Sequence, residues 1–260
     1  MPPKGSKKRS KPDSVTSSAT DPVSSASSKK TSSKEMDGTD QLFAMYANTS
    51  SGVIDPEGIE KLCASLKVPH TDIRILMLAW RMKAERQGYF TKAEWRIGLK
   101  ALKVDTITKL KKALPELEKE VRKPLNFVDF YAYAFKYCLT EEKQKFLDIE
   151  TICQLLDMVL GSTFRAQVDY FVDYLKVWAP PFCLQTSSLS FLQSVYQMQN
   201  VCSHYEQIQK DYKSIHMDQW MGFYRFCNEI SFPDMTNYNL ELAWPSILDD
   251  FFEWLREKQA

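Results

Sequence analysis

Glycine is scarce in this chain, eight residues in 260, which argues against a sheet-rich fold built on many tight turns. Histidine is scarcer, with only His70, His204 and His216. The six cysteines (Cys63, Cys138, Cys153, Cys183, Cys202, Cys227) lie far apart and form no C-x-x-C pair. A zinc lattice therefore has neither the ligands nor the spacing, and no metal or cofactor is expected. Reduced thiols in a nuclear or cytosolic protein are the simplest reading. No stretch approaches the roughly 20 apolar residues of a membrane span. The opening Met1-Pro2-Pro3-Lys4 lacks the apolar segment of a secretory signal, and Pro2 excludes N-myristoylation. Charge of one sign is missing too: 34 basic and 33 acidic residues leave a net of +1, so the total says nothing about partners. What is present is 44% hydrophobic residues, enough for one large domain or two small ones with a real core.

The charge is unevenly placed. Residues 1–40 carry a net of +3 and eleven serines. That composition cannot bury enough apolar surface to offset the entropy of ordering it, so a disordered tail is expected. Its cluster Lys4-Gly5-Ser6-Lys7-Lys8-Arg9-Ser10-Lys11-Pro12 reads as a nuclear address or as a solvated basic arm.

From 40 to 176 the pattern is helical. Over 71–85 the apolar Ile75, Leu78, Ala79 and Met82 recur at three- and four-residue steps, one buried face of a helix. Asp55-Pro56 reads as an N-cap followed by Pro at the first helical position. Thr91-Lys92-Ala93-Glu94 is a capping box. Asp148 caps a helix over 149–160 that Gly161 stops. The aromatic density of 125–138 predicts a core helix. Two helix–loop–helix units resemble each other at an offset of 36 residues: Gly52 precedes Ile54 by two, and Gly88 precedes Phe90 by two. A glycine at loop position six and an apolar residue at eight is how a calcium-binding EF-hand loop bends and pairs with its twin. The ligand positions, however, hold Ala47, Thr49, Ser51 and Gly58 in one loop and Lys83, Glu85, Gln87 and Glu94 in the other. Calcium needs clustered carboxylate oxygens, so the expectation is a paired EF-hand-like scaffold without calcium.

The segment 209–258 is again helical, and 217–260 carries a net of −5. Asp218 reads as the N-cap of a helix reaching about Ile230, and Trp244-Pro245 as the start of a last helix through Leu255. An acidic face suits a basic partner surface, although a charge run is also what a solvated face looks like.

Asp218-Gln219-Trp220, Asp234-Met235-Thr236-Asn237-Tyr238 and Ala243-Trp244-Pro245-Ser246-Ile247-Leu248-Asp249-Asp250-Phe251 resemble the C-terminal signature of the defective-in-cullin-neddylation proteins, the potentiating-neddylation domain family. Leu78-Ala79-Trp80 and the run from Gly88 to Trp95 are similar to their N-terminal half. The resemblance covers roughly 40–176 and 209–258. It implies an all-α domain of EF-hand-like helix pairs with a C-terminal helical subdomain, spanning 41–258. It also implies a scaffold without catalytic residues, which holds a ubiquitin-like conjugating enzyme against the C-terminal winged-helix domain of a cullin. By resemblance, the cullin-facing patch maps to Asp218, Ala243 and Asp249. An apolar pocket for the acetylated N-terminal methionine of the conjugating enzyme maps to Ile59, Ile75, Leu78, Ala79, Met82, Ala84, Phe90, Tyr137 and Met158. All nine also read as ordinary core. Leu155 departs from the pocket-side Tyr found in relatives. The partners implied are a cullin and the neddylation conjugating enzyme, with no nucleic acid or membrane, for a monomer in nucleus and cytoplasm.

The larger departure is 177–208, where Glu206 is the one charged residue in thirty-two positions. The stretch begins Val177-Trp178-Ala179-Pro180-Pro181 and has no caps and no clean period. It reads as retained intron sequence or a gene-model error, with a lineage-specific loop as the alternative. Rival functions are a calcium sensor, an acidic helical adaptor with a different basic partner, and an isoform inactivated by the insert. An enzyme is least supported, because no nucleophile, metal or acid–base constellation is present.

Overall fold

A computed structural model describes residues 37–176 and 212–259. The basic cluster of the tail and the insert at 177–208, with Cys183, Cys202 and His204, lie outside the described residues. The order of elements is α1 (Gly38–Tyr46), α2 (Pro56–Leu66), α3 (Ile73–Met82), α4 (Lys92–Leu102), α5 (Ile107–Val121), α6 (Pro124–Tyr137), β1 (Phe146–Asp148), α7 (Ile149–Leu160), α8 (Arg165–Lys176), β2 (Ser214–His216), α9 (Met217–Glu229) and α10 (Ser246–Gln259). The all-α reading holds, with two three-residue strands added.

The caps read from the sequence are present. The Asp55 carboxylate accepts from the Gly58 amide at 3.0 Å, ahead of Pro56 at the first turn of α2. The Asp148 carboxylate accepts from the Thr151 amide at 2.9 Å. Thr91 and Glu94 form the expected capping box on α4. Three boundaries differ. The predicted tail runs to residue 40, but α1 starts at Gly38 with Asp37 as its N-cap. The reason is Asp40, whose carboxylate takes the Arg96 guanidinium and lies 3.1 Å from Lys92 on α4. Arg96 holds the Asp40 carboxyl down at about 2, and the Trp95 indole donates to the Thr39 carbonyl at 3.1 Å. The last helix begins at Ser246, just after Trp244-Pro245, and runs past Leu255 to Gln259. Asp218 is not the N-cap of α9, as described below.

The twin loops do pair. Ile54 and Phe90 exchange both backbone hydrogen bonds at 2.9 Å, and both side chains are buried. Gly52 and Gly88 sit at φ of +69° and +78°, the left-handed turn that a side chain disfavours. Polar side chains in both loops are engaged in hydrogen bonds within the loop itself. Asn48 donates to Asp55 at 2.7 Å and accepts from the Ser50 amide at 2.9 Å. Glu94, at loop position twelve, accepts from the Glu85 amide at 2.9 Å and from the Thr91 amide at 2.6 Å. The carboxylate at position twelve of the second loop thus closes its own loop.

A second pair of the same kind was not legible in the sequence. β1 follows α6 and β2 precedes α9. The two strands run antiparallel, with Phe146 opposite His216, Leu147 opposite Ile215 and Asp148 opposite Ser214. Leu147 and Ile215 are buried, like Ile54 and Phe90. Each strand is only three residues long, too short for an alternating pattern to be read.

Packing links the two pairs. α3 lies against α4, α5 and α6, and α6 lies against α9. At the α6–α9 contact the Tyr131 and Trp220 rings stack with centroids 4.2 Å apart and planes 7° apart. The Tyr131 hydroxyl donates to the Trp220 carbonyl at 3.0 Å, and the Trp220 indole donates to the Tyr131 carbonyl at 3.0 Å.

α2, α3 and α4 each end on a lysine in the left-handed conformation, Lys67, Lys83 and Lys103, at φ of 57° to 60°. For an L-residue that conformation costs about 1 kcal/mol. Glycine removes the cost and returns part of it as unfolded-chain entropy. Replacing the exposed Lys67 and Lys103 by glycine is expected to raise stability by about 1 kcal/mol in total, read as a higher urea midpoint. An unchanged midpoint would mean that the two helix ends are unstrained.

Candidate functional site

The acidic C-terminal face is built around one close approach. A Cβ placed on Gly222 of α9 would lie 2.7 Å from Pro245 Cγ and 3.1 Å from Pro245 Cδ. The missing side chain therefore lets α9 meet the chain just ahead of α10. Asp218 lies one turn before Gly222, Ala243 two residues before Pro245, and Asp249 one turn after it. At a rise of roughly 1.5 Å per residue, each of the three residues expected to face a cullin lies within about one helical turn along the chain of this contact.

Their environments differ. Asp218 and Ala243 are exposed and Asp249 is half-buried. Asp218 sits at the second position of α9, because β2 carries the chain in extended form to His216, which is the N-cap. The His216 amide is satisfied by the Gln219 side chain at 2.8 Å. Asp218 thus stands in the first turn with its carboxylate uncommitted to capping, where the helix dipole favours a negative charge. Asp249 accepts from the Tyr238 hydroxyl at 2.7 Å. Burial, and then the Asp249 carboxylate, push the Tyr238 phenol upward. The neighbouring Asp250 accepts from Tyr212 at 3.1 Å, and burial raises its carboxyl.

The connecting segment is rigid for identifiable reasons. Asn237 accepts from the Ser231 amide at 2.7 Å and donates to the Glu229 carbonyl at 2.7 Å, tying the segment to the end of α9. Tyr238 stacks on Phe252 at 4.4 Å and on Trp244 at 5.4 Å. The Arg225 guanidinium covers the other aromatic neighbour, 4.1 Å from Trp244, and pairs with Glu229. The cations here are committed: Arg256 lies near Glu253 and Lys258 near Asp173. Among the described residues, no ion pair engages Asp218, Asp234, Glu241 or Asp249.

The residues expected to line an apolar pocket are placed differently. Ile75, Leu78, Ala79, Met82, Ala84, Phe90 and Tyr137 are buried, while Ile59 and Met158 are half-buried against the same core. Ile75, Leu78, Ala79 and Met82 share one face of α3. Phe90, Ala84 and Tyr137 meet at the second loop, where the Tyr137 hydroxyl accepts from the Gly88 amide at 3.2 Å. Burial pushes the Tyr137 phenol up to about 12. Leu155 is buried in α7. Beside this cluster runs an open groove of about 490 Å³ that shares only Ala84 with it and is otherwise lined by residues such as Trp80, Arg81, Asp129 and Tyr133. The Trp80 indole donates to Asp129 at 2.8 Å, and the Tyr133 hydroxyl to the Ala84 carbonyl at 2.8 Å.

The described thiols offer no nucleophile. Cys63, Cys138, Cys153 and Cys227 are unbridged, and burial raises all four, Cys138 to about 11. A thiol so raised stays protonated at neutral pH. Among the described residues no cluster of three or more His, Cys, Asp or Glu could hold a metal ion, and no helix is long and apolar enough to cross a membrane.

Residues 109–254 match the cullin-binding family model. The chain is a DCN1-like protein. It is 33% identical over 219 residues to human DCN1-like protein 4, covering 84% of this chain and 63% of that relative. It is 30% identical over 218 residues to bovine DCN1-like protein 5, covering 84% and 77%. Against DCN1-like protein 4 of Drosophila melanogaster it is 31% identical over 207 residues, covering 80% and 69%. The chain thus spans somewhat under two thirds of the length of the human DCN1-like protein 4. The family match covers the whole acidic face, from β2 through most of α10. Sequence reasoning missed the Gly222–Pro245 approach that organises that face; a lone glycine inside a helical pattern was its available signal.

Proposed function

We propose that this DCN1-like protein is a non-catalytic scaffold in cullin neddylation. It binds the C-terminal winged-helix domain of a cullin through Asp218, Ala243 and Asp249. It also holds the conjugating enzyme by its acetylated N-terminal methionine, and so promotes transfer of the modifier to a cullin lysine. The observation that carries the cullin half is the convergence of these three residues about Gly222 and Pro245, on a face whose cations are already paired. An acidic surface of this kind steers and orients a basic partner.

The methionine half is supported by chemistry. An ammonium buried without a partner is prohibitively costly, and acetylation removes that charge. The methionine side chain then contributes about 2 kcal/mol by burial. Because Leu78, Ala79, Met82 and Phe90 are withdrawn from solvent, the methionine enters by rearranging side chains around α3. The alternative of an open, preformed cavity finds no support in their burial.

The test is the rate of modifier transfer to a purified cullin with and without this protein, using acetylated and unacetylated conjugating enzyme. Acceleration is expected with the acetylated enzyme, falling by at least about tenfold in apparent affinity without the acetyl group. No acceleration with either form would overturn the scaffold reading for the full chain. Repeating the assay with 177–208 deleted would then show whether the insert is what disables it.

A further inference from the structure

Few large apolar side chains are exposed among the described residues, and two of them stand two positions apart beside the acidic patch. Leu240 is 55% exposed and Leu242 is 48% exposed, with Glu241 between them and the exposed Ala243 next. An isolated exposed leucine needs no explanation. These two are held on an ordered turn. The Glu241 amide donates to the Asn239 side chain at 2.8 Å. The Leu242 amide donates to the Asn239 carbonyl at 3.2 Å, and the Trp244 amide to the Leu242 carbonyl at 2.8 Å. Tyr238 and Trp244, stacked on each other, root the two ends of the turn in the core.

A turn fixed in advance presents its side chains without the ordering cost that a loose loop incurs on binding. Leu240, Leu242 and Ala243 are exposed apolar positions within four residues with Glu241 among them, and Asp218 and Asp249 each lie one turn along the chain from the Gly222–Pro245 contact that follows. An apolar centre with a charged rim is the anatomy of a protein-binding surface. We infer that Leu240 and Leu242 are the apolar anchor of this face, and that its occupant is the cullin winged-helix domain, presenting an apolar recess rimmed by Lys and Arg. The inference rests on reading the acidic patch as the cullin-docking face. It adds that the leucines supply an apolar share of the affinity beside that of the carboxylates, which also set orientation and on-rate. The leucines then also bias which cullin is preferred, since a recess that does not admit them loses the anchor.

The test is titration calorimetry of the full chain against purified C-terminal domains of each cullin of the same organism, at two ionic strengths. Leu240→Ser with Leu242→Ser is expected to weaken binding at least tenfold while leaving the salt dependence and the melting temperature unchanged. Asp218→Lys is expected to reduce the salt dependence as well as the affinity. If Asp218→Lys weakens binding and the double serine variant does not, the leucines are not the anchor, though the acidic reading stands. If the wild-type chain binds no cullin, the acidic reading fails and this inference with it. If sedimentation shows a wild-type dimer that the serine variant dissociates, the occupant is a second copy of the chain and the assignment to a cullin is overturned.

Discussion

Reversing Asp218 to lysine and neutralising Asp249 to asparagine is expected to lower affinity for the cullin C-terminal domain by on the order of a hundredfold. Each change removes an attraction, and the lysine places a like charge against a basic surface. The two positions need different substitutions. Asp218 is exposed, makes no ion pair among the described residues and is not the helix cap. Its reversal therefore costs only the favourable dipole contact, roughly 0.3–1 kcal/mol of stability. Asp249 also accepts from the Tyr238 hydroxyl, so lysine there would leave a half-buried phenol without its acceptor. Asparagine keeps an oxygen for Tyr238 and removes the charge. The affinity of the unmodified chain should fall as salt rises, and that of the variant should be nearly flat. Equal affinities and equal salt slopes for the two proteins would show that the carboxylates do not meet the partner.

The part of this face that the sequence announced, and the part it hid, follow one rule. Signature motifs mix residues with opposite duties. In Asp218-Gln219-Trp220, two positions along a helix carry the first side chain to water and the third into the core. In Ala243-Trp244-Pro245 the alanine is exposed, the tryptophan is buried and the proline fills the notch at Gly222. A motif can thus be recognised without showing which of its members touches a partner. Caps were legible because each is a contact between near neighbours, as at Asp55, Thr91 and Asp148. The twin loops were legible because Gly52 and Gly88 recur at one spacing with Ile54 and Phe90. The pairing of Leu147 with Ile215 was hidden because its partners are distant in sequence and its strands short. The N-cap of α9 was misplaced by two residues because Asp218 is the better capping residue by type, whereas β2 decides where the helix starts. Seven of the nine residues assigned to the pocket by resemblance are buried and Ile59 and Met158 half-buried, as a core and a closed pocket both require.

Truncating Trp220 to alanine is expected to be the most damaging single change to stability. A buried Trp→Ala substitution costs about 3–5 kcal/mol, and here more than packing is lost. The Trp220 indole is the donor to the Tyr131 carbonyl, and its ring lies 4.2 Å from the Tyr131 ring. A buried carbonyl left unpaired adds about 1–3 kcal/mol. Domains of this size are stable by about 5–15 kcal/mol, so the alanine variant should be largely unfolded or melt far below the parent. Trp220→Phe separates the contributions: it keeps a ring against Tyr131 and loses the indole donor, at an expected cost of about 1–3 kcal/mol by urea denaturation. An alanine variant within about 1 kcal/mol of the parent would mean that the α6–α9 joint does not hold the two helix-pair units together. The phenylalanine variant also separates fold from binding. Trp220 is buried beneath the acidic face, two residues from Asp218 and pointing away from it. Where the phenylalanine variant is folded, its cullin affinity should match the parent, because the residue acts by placing α9 and not by touching the partner. Loss of cullin binding in that folded variant would instead mean that the indole sets the position of Asp218 to within the tolerance that the docking surface demands.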